Sequence, residues 1–167
     1  MWLSDRRTFL TGLGGLGALA LGGCGFTPAY GPNGAANRLQ GSVLVDAPVN
    51  RDDYLLVQQL EDRLGRGDNG RYALGYSYVV VEERMAITAD NITTRFNLVG
   101  RVSYALRDRA TDAVLIQGGA NSFTGYSATG STVATLAASR DARARLATLL
   151  ADQMVTRLIA TSAGLPG

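Results

Sequence analysis

The chain predicts an α+β fold: a two-layer sandwich with a four-stranded, largely antiparallel sheet, two helices on one face, and the order β-α-β-β-β-α. Two segments with a two-residue apolar period, over 72–80 and 95–107, and a third strand-like segment over 113–123 entered by a Thr-Asp turn, follow one another with short connections between them. Two segments with leucine at four-residue spacing stand before and after them. Consecutive antiparallel strands make a meander, and two helices with one apolar stripe each must cover the same side of it, leaving the other side open.

The elements run as follows. Ser42-Val43-Leu44-Val45-Asp46 is a short strand stopped by Pro48. Asn50 or Asp52 caps a helix carrying Leu56, Leu60 and Leu64, and Gly65 ends it. Asp68-Asn69-Gly70 is a turn into the second strand, in which Tyr72, Leu74, Tyr76, Tyr78 and Val80 alternate with Ala73, Gly75, Ser77 and Val79. A loop tip is expected from Met85 to Asn91. The third strand has the clearest alternation, with Phe96, Leu98, Val102, Tyr104 and Leu106 on one face and Arg95, Asn97, Arg101, Ser103 and Arg107 on the other. Thr111-Asp112 turns into a fourth strand ending near Phe123, where Gly118-Gly119 marks a bulge or a close backbone approach. A polar stretch with Gly125, Tyr126 and Gly130 leads to Ser139, expected to cap a closing helix with a stripe of Leu146, Leu149, Leu150, Met154, Leu158 and Ile159.

Ahead of this domain lies an export signal. Asp5-Arg6-Arg7 precedes an apolar run from Leu10 to Leu21, too short to span a bilayer, and Leu21-Gly22-Gly23-Cys24 follows. Residues 1–23 are read as a lipoprotein signal peptide and 24–40 as a lipidated tether rich in Gly, Pro, Ala and Asn. Residues 41–163 are read as a single α+β domain and 164–167 as a tail. Leu-Gly-Gly-Cys resembles a lipobox, so the single cysteine, Cys24, is expected to be acylated. Several acyl chains on one residue anchor permanently where one chain does not. Arg6-Arg7-Thr8-Phe9-Leu10 also resembles a twin-arginine signal, beside an ordinary basic leader for the secretory route. Gly25 is not the aspartate of an inner-membrane retention mark, which favours the outer membrane with the domain facing the periplasm.

Composition excludes much chemistry. The 167-residue chain has no histidine, and its one cysteine is claimed by the anchor, so neither a disulfide nor a His/Cys metal site is expected. There is no Gly-x-Ser-x-Gly nucleophile elbow. Gly12-Leu13-Gly14-Gly15-Leu16-Gly17 matches a dinucleotide-binding pattern but lies inside the leader, with no strand before it. Asp52-Asp53 and Glu82-Glu83 are sequence neighbours, which do not converge on a helix or a strand. No enzyme and no cofactor are expected, and 16 basic against 14 acidic residues give no nucleic-acid footprint.

What remains is the open sheet face, lined by Ala73, Gly75 and Ser77 with Arg95, Asn97, Arg101, Ser103 and Arg107. Arg95, Arg101, Asn97 and Arg107 are the candidate ligand or partner contacts, with Arg95 foremost. Six strand residues span about 20 Å, so Arg95 and Arg101 act as successive contacts, pair with acids of a partner, or stay solvated.

Cys24-Gly25-Phe26-Thr27-Pro28-Ala29-Tyr30-Gly31, Thr94-Arg95 with Tyr104-Ala105-Leu106, and Asp141-Ala142 with Leu150-Ala151-Asp152 together resemble the LptE-like lipopolysaccharide-assembly lipoproteins of alphaproteobacteria. The resemblance implies a non-enzymatic subunit of the lipopolysaccharide translocon that plugs and helps assemble the LptD-type outer-membrane β-barrel and contacts lipopolysaccharide. A general periplasmic carrier or chaperone for apolar ligands or unfolded outer-membrane proteins is the other reading, acting through the sheet edge.

Overall fold

A computed structural model of the chain describes residue 31 and residues 34–87 and 93–165. The residues read as a signal peptide, Cys24 and most of the segment read as a tether lie outside the described residues, as do the last residues of the expected loop tip. The elements are α1 (Ala35–Leu39), β1 (Val43–Val45), α2 (Arg51–Leu64), β2 (Tyr72–Ile87), β3 (Thr93–Asp108), β4 (Val114–Ser127) and α3 (Thr132–Thr161), closed by a 3₁₀ turn over Ser162–Gly164.

The sheet order is β1-β2-β3-β4. β1 pairs parallel to β2, while β2, β3 and β4 form an antiparallel meander. A parallel pair needs a crossover, and α2 supplies it. The expected two-layer α+β sandwich is present, with one helix more than anticipated.

Local chemistry explains most boundaries. Asn50 caps α2, its side chain accepting from the Asp53 N–H at 2.9 Å. Gly65 closes the helix at φ 75°, a conformation that suits a residue without Cβ. Asp112 occupies the left-handed region (φ 56°) in the β3–β4 turn. At the end of β3, the Ala110 N–H and then the Arg71 guanidinium hold the Asp108 carboxyl below the usual carboxylate range.

Several expectations need correction. The end of the segment read as a tether is helical, and Leu39 in it is fully buried. At the other terminus, Leu165 is buried where a tail was expected, and its carbonyl accepts from Arg38 at 3.3 Å. β2 runs on through Met85 to Ile87, because the ladder to β3 continues past Glu83 opposite Asn97 and Arg84 opposite Phe96. β4 likewise continues to Ser127, where Tyr126 stacks on Phe96 at 5.2 Å between ring centroids. Ser131, not Ser139, caps α3, accepting from the Ala134 N–H at 3.3 Å. The first turns of α3 bury no residue fully, so no apolar period announced them. Gly118 is the close approach rather than a bulge: a Cβ there would lie 2.7 Å from the Tyr104 hydroxyl. The irregularity falls instead between Leu106 and Arg107.

The core forms where α2 and α3 cross the inner sheet face. Leu56, Leu60 and Leu64 from α2 meet Leu98, Val102, Tyr104 and Leu106 from β3, and Leu146, Leu150, Met154 and Leu158 from α3. Leu149, placed on that stripe by sequence, is 42% exposed, because only the four-residue row faces the sheet. α3 sits close because β3 carries Gly100 beneath it: a Cβ there would lie 2.9 Å from Leu150 Cδ1 and 3.0 Å from Leu146 Cδ2. Ion pairs tie the helices together, Arg63 to Asp152 at 2.5 Å and Arg143 to Asp52 at 2.6 Å, with Arg143 also 3.6 Å from Glu82 of β2.

One polar atom in this region is orphaned. The Tyr76 hydroxyl is buried without a hydrogen-bond partner among the described residues. Burial, and then the Asp53 and Asp46 carboxylates, push its pKa up to about 12.

Two predictions follow from this packing. Gly100→Val should cost about 1–3 kcal/mol in urea unfolding, because new methyls meet Leu146 and Leu150; an unchanged midpoint would remove the close approach of α3. Tyr76→Phe should leave the protein as stable or up to about 1 kcal/mol more stable at neutral pH, since it deletes an unsatisfied donor. The unfolded tyrosine ionises near pH ~10 while the folded one keeps its proton to about 12, so this residue's contribution is intact below pH ~10 and falls as pH rises through that window. Urea titrations from pH 8 to 12 should show a shallower alkaline loss for the variant.

Candidate functional site

The helices occupy one sheet face, so the other face is where the exposed side chains gather. The two-residue repeat sends the odd residues of β2, β3 and β4 to that face, and the register aligns them in rows. Ser77, Ser103 and Gly119 make one row, and Val79, Arg101 and Asn121 the next. Val81, Val99 and Phe123 form a third, and Glu83, Asn97 and Gly125 a fourth. Arg95 lies beyond them, opposite Ser127 and the irregular stretch of β2 at Met85 and Ala86.

The face is therefore not simply polar, as the sequence reading had it. Phe123 is 69% exposed, Val79 55% and Val81 43%, and the half-buried Val99 lies between Val81 and Phe123. Cross-strand apolar residues in register here leave apolar surface facing solvent. Val79, Val99 and Phe123 lie within the segments read as strands, but only the small and polar residues were carried to the open face, and Val81 stands one residue past the last position read in β2.

The four candidate contacts share the face without forming one cluster. Arg101 is exposed one row from Val99, and Arg95 is exposed at the far end. Neither has an ion-pair partner among the described residues. Their separation along β3 is about 20 Å, with Asn97 and Val99 between them. Asn97 is half-buried. Arg107 lies at the opposite end of β3, 3.6 Å from Asp112, and belongs to the β3–β4 turn.

Two open grooves lie elsewhere on the described surface. One of about 500 Å³ lies between the first turns of α3 and the inner sheet face, lined by Glu82, Tyr126, Leu136 and Ser139. A second, of about 380 Å³, runs past Ile116, Thr161 and Leu165. Among the described residues no group of three His, Cys, Asp or Glu side chains is placed to hold a metal ion. No described helix is long and apolar enough to cross a membrane.

The sequence model of the lipopolysaccharide-assembly family, LptE, matches residues 40–158. No curated protein matches the chain. Among solved structures, it is similar to a lipoprotein from Caulobacter crescentus CB15, with 28% identity and a TM-score of 0.65 over 78% of this chain and 97% of that one. The fold also matches the rare lipoprotein B from Shewanella oneidensis, at 11% identity and a TM-score of 0.53 over 73% of this chain and 95% of that one. Lipoprotein B from Nitrosomonas europaea matches at 14% identity and a TM-score of 0.53, over 75% and 90% of the two chains.

The division into two faces has a direct check. Arg95→Asp with Arg101→Asp, and separately Phe123→Ser, should change unfolding free energy by no more than about 0.5 kcal/mol, because each side chain is exposed. Leu98→Asp on the same strand should prevent folding, since it buries an unpaired charge. Circular dichroism melts of the three variants test this, and a large loss in either of the first two would move their residues out of the open face.

Proposed function

The chain belongs to the lipopolysaccharide-assembly family LptE, and from that premise we propose that it is the lipoprotein subunit that plugs an LptD-type outer-membrane β-barrel and assists its assembly. In this reading Cys24 carries the lipid anchor, the domain faces the periplasm, and no catalytic step is assigned to it. The carrying observation is the open sheet face, with the row of Val81, Val99 and Phe123 next to that of Val79 and Arg101. A protein that works by contact needs such a surface, whereas a carrier of apolar ligands needs an enclosed cavity. The two grooves described above are open and lined in part by polar side chains.

Lipopolysaccharide contact is the second part of the proposal. Its lipid A portion carries phosphates, and guanidinium groups fork onto phosphate oxygens with two parallel bonds. Arg95 and Arg101 are exposed and unpaired among the described residues, which supports two successive anionic contacts flanking an apolar row. Arg107, engaged with Asp112, is the weakest of the four candidates.

A C-terminally tagged chain, extracted from outer membranes in mild detergent, should bring down one large β-barrel in near-equal amount. Recovery of the lipoprotein alone, or with assorted apolar lipids, would favour the carrier. Phe123→Asp with Arg101→Asp should lower barrel recovery or lipopolysaccharide binding at least about tenfold while the melt stays near wild type. Full retention of both would return the face to a solvated surface. Cys24→Ala should release the protein into the soluble periplasmic fraction, and continued membrane attachment would overturn the anchor.

A further inference from the structure

The two edges of the sheet are treated differently. In an antiparallel sheet, alternate residues of an edge strand turn both backbone polar groups away from the neighbouring strand. On β4 the outward residues are odd, and α3 reaches over to three of them. Arg157 donates to the Gly119 carbonyl, Gln153 Nε2 to that of Asn121 at 3.4 Å, and Arg145 to that of Gly125 at 3.3 Å.

On β2 the outward residues are even. The bonds to the β1 side fix this parity: the Tyr72 N–H donates to the Ser42 carbonyl at 3.0 Å, and the Asp46 N–H to the Leu74 carbonyl at 3.0 Å. The pairing with β1 ends at Val45 opposite Leu74. From Tyr76 to Arg84 no described residue bonds to the outward backbone groups of β2. The same stretch holds Tyr78-Val79-Val80-Val81, a run with strong strand preference. Proteins normally blunt such an edge with charge, bulges or a covering element. Here the side chains of α3 cover one edge, and the other is left as a template.

We propose that the β2 edge from Tyr76 to Arg84 accepts an added strand, and that this strand is an extended segment of the β-barrel partner. The identity of the partner rests on the function proposed above, while the edge rests on the geometry alone. Outward N–H and C=O groups in a straight row are satisfied by an extended backbone. Val79 and Val81 sit at this edge and continue through Val99 to Phe123, so an incoming strand with apolar residues at alternate positions extends the row. Membrane-barrel strands carry that alternation. Glu83, exposed on the same face and without an ion-pair partner among the described residues, favours a basic residue opposite it. A second copy of the chain would bring another Glu82-Glu83 pair to the same short edge, adding like charge.

The experiment is amide hydrogen exchange at single-residue resolution on the full lipidated protein, alone and in complex with the barrel it carries. The amides of Tyr78, Val80 and Glu82 should slow about 100-fold or more in the complex, while those of Val79 and Val81, already bonded to β3, change little. Equal exchange at the three even positions in both states overturns the edge assignment. Val80→Pro removes one outward donor without taking any from the β2–β3 ladder, so it should melt near wild type and retain about tenfold less barrel. If Val80→Pro fails to fold, the wild-type exchange comparison alone decides. If the wild type carries no barrel, the proposed function fails. If it carries the barrel without protection at β2, only the edge assignment fails. Protection that arises in the isolated protein together with a dimer in sedimentation gives the edge to a second copy and overturns the stated occupant.

Discussion

The register of β3 is the constraint on which the remaining structure depends. Its even residues Leu98, Val102, Tyr104 and Leu106 are buried under the helices, and its odd residues Arg95, Arg101 and Arg107 stand in solvent. A slip of one residue would exchange the two sets, burying guanidinium groups and exposing the leucines. Gly100 interrupts the apolar series at the place where Leu146 and Leu150 come down, so the same strand that divides the faces also sets how near α3 lies. With α3 seated there, Arg63–Asp152 and Arg143–Asp52 align α2 against it.

The sandwich is uneven along its length. α2 packs on the sheet beside β1 and β2, its Asp52 sharing Arg143 with Glu82, and β2 and β3 extend sixteen residues each. The first turns of α3 lie over Tyr126 and Glu82 and leave an open groove. The thin end is held by the Phe96–Tyr126 stack and by the buried Thr124 hydroxyl, which donates to the Ala142 carbonyl at 2.9 Å. Among the described residues, such a domain offers a face, an edge and open grooves for contact.

That economy agrees with membership of the lipopolysaccharide-assembly family. The chain has no histidine, and its described residues hold no metal-ligand cluster. Its distinctive chemistry is the placement of Val81, Val99 and Phe123 in register, with Val79 and Arg101 in the adjoining row and Arg95 beyond Asn97. The same α3 that completes the core also shields the outward carbonyls of β4, coupling the helix packing to the choice of exposed edge.

Much of this was legible in the sequence. The strict alternation of β3, the Leu56-Leu60-Leu64 row, the Asn50 cap and the Gly65 stop are local signals, each set by a residue's own geometry or by a repeat of two or four, and they determined fold class and layer order. Ser131 was overlooked because the helix it opens is exposed for its first turns and shows no apolar period. The length of β2 past Val80 and of β4 past Phe123 depends on pairing with β3, since Glu82-Glu83-Arg84 has no strand preference of its own. Arg95 and Arg101 were found as exposed charges on one face, but the apolar row between them is assembled from three strands and exists only once their register is set. The difference between the two edges was decided by tertiary structure alone: it depends on where α3 crosses β4 and where β1 stops, and hydrogen bonds between residues distant in sequence leave no periodic trace.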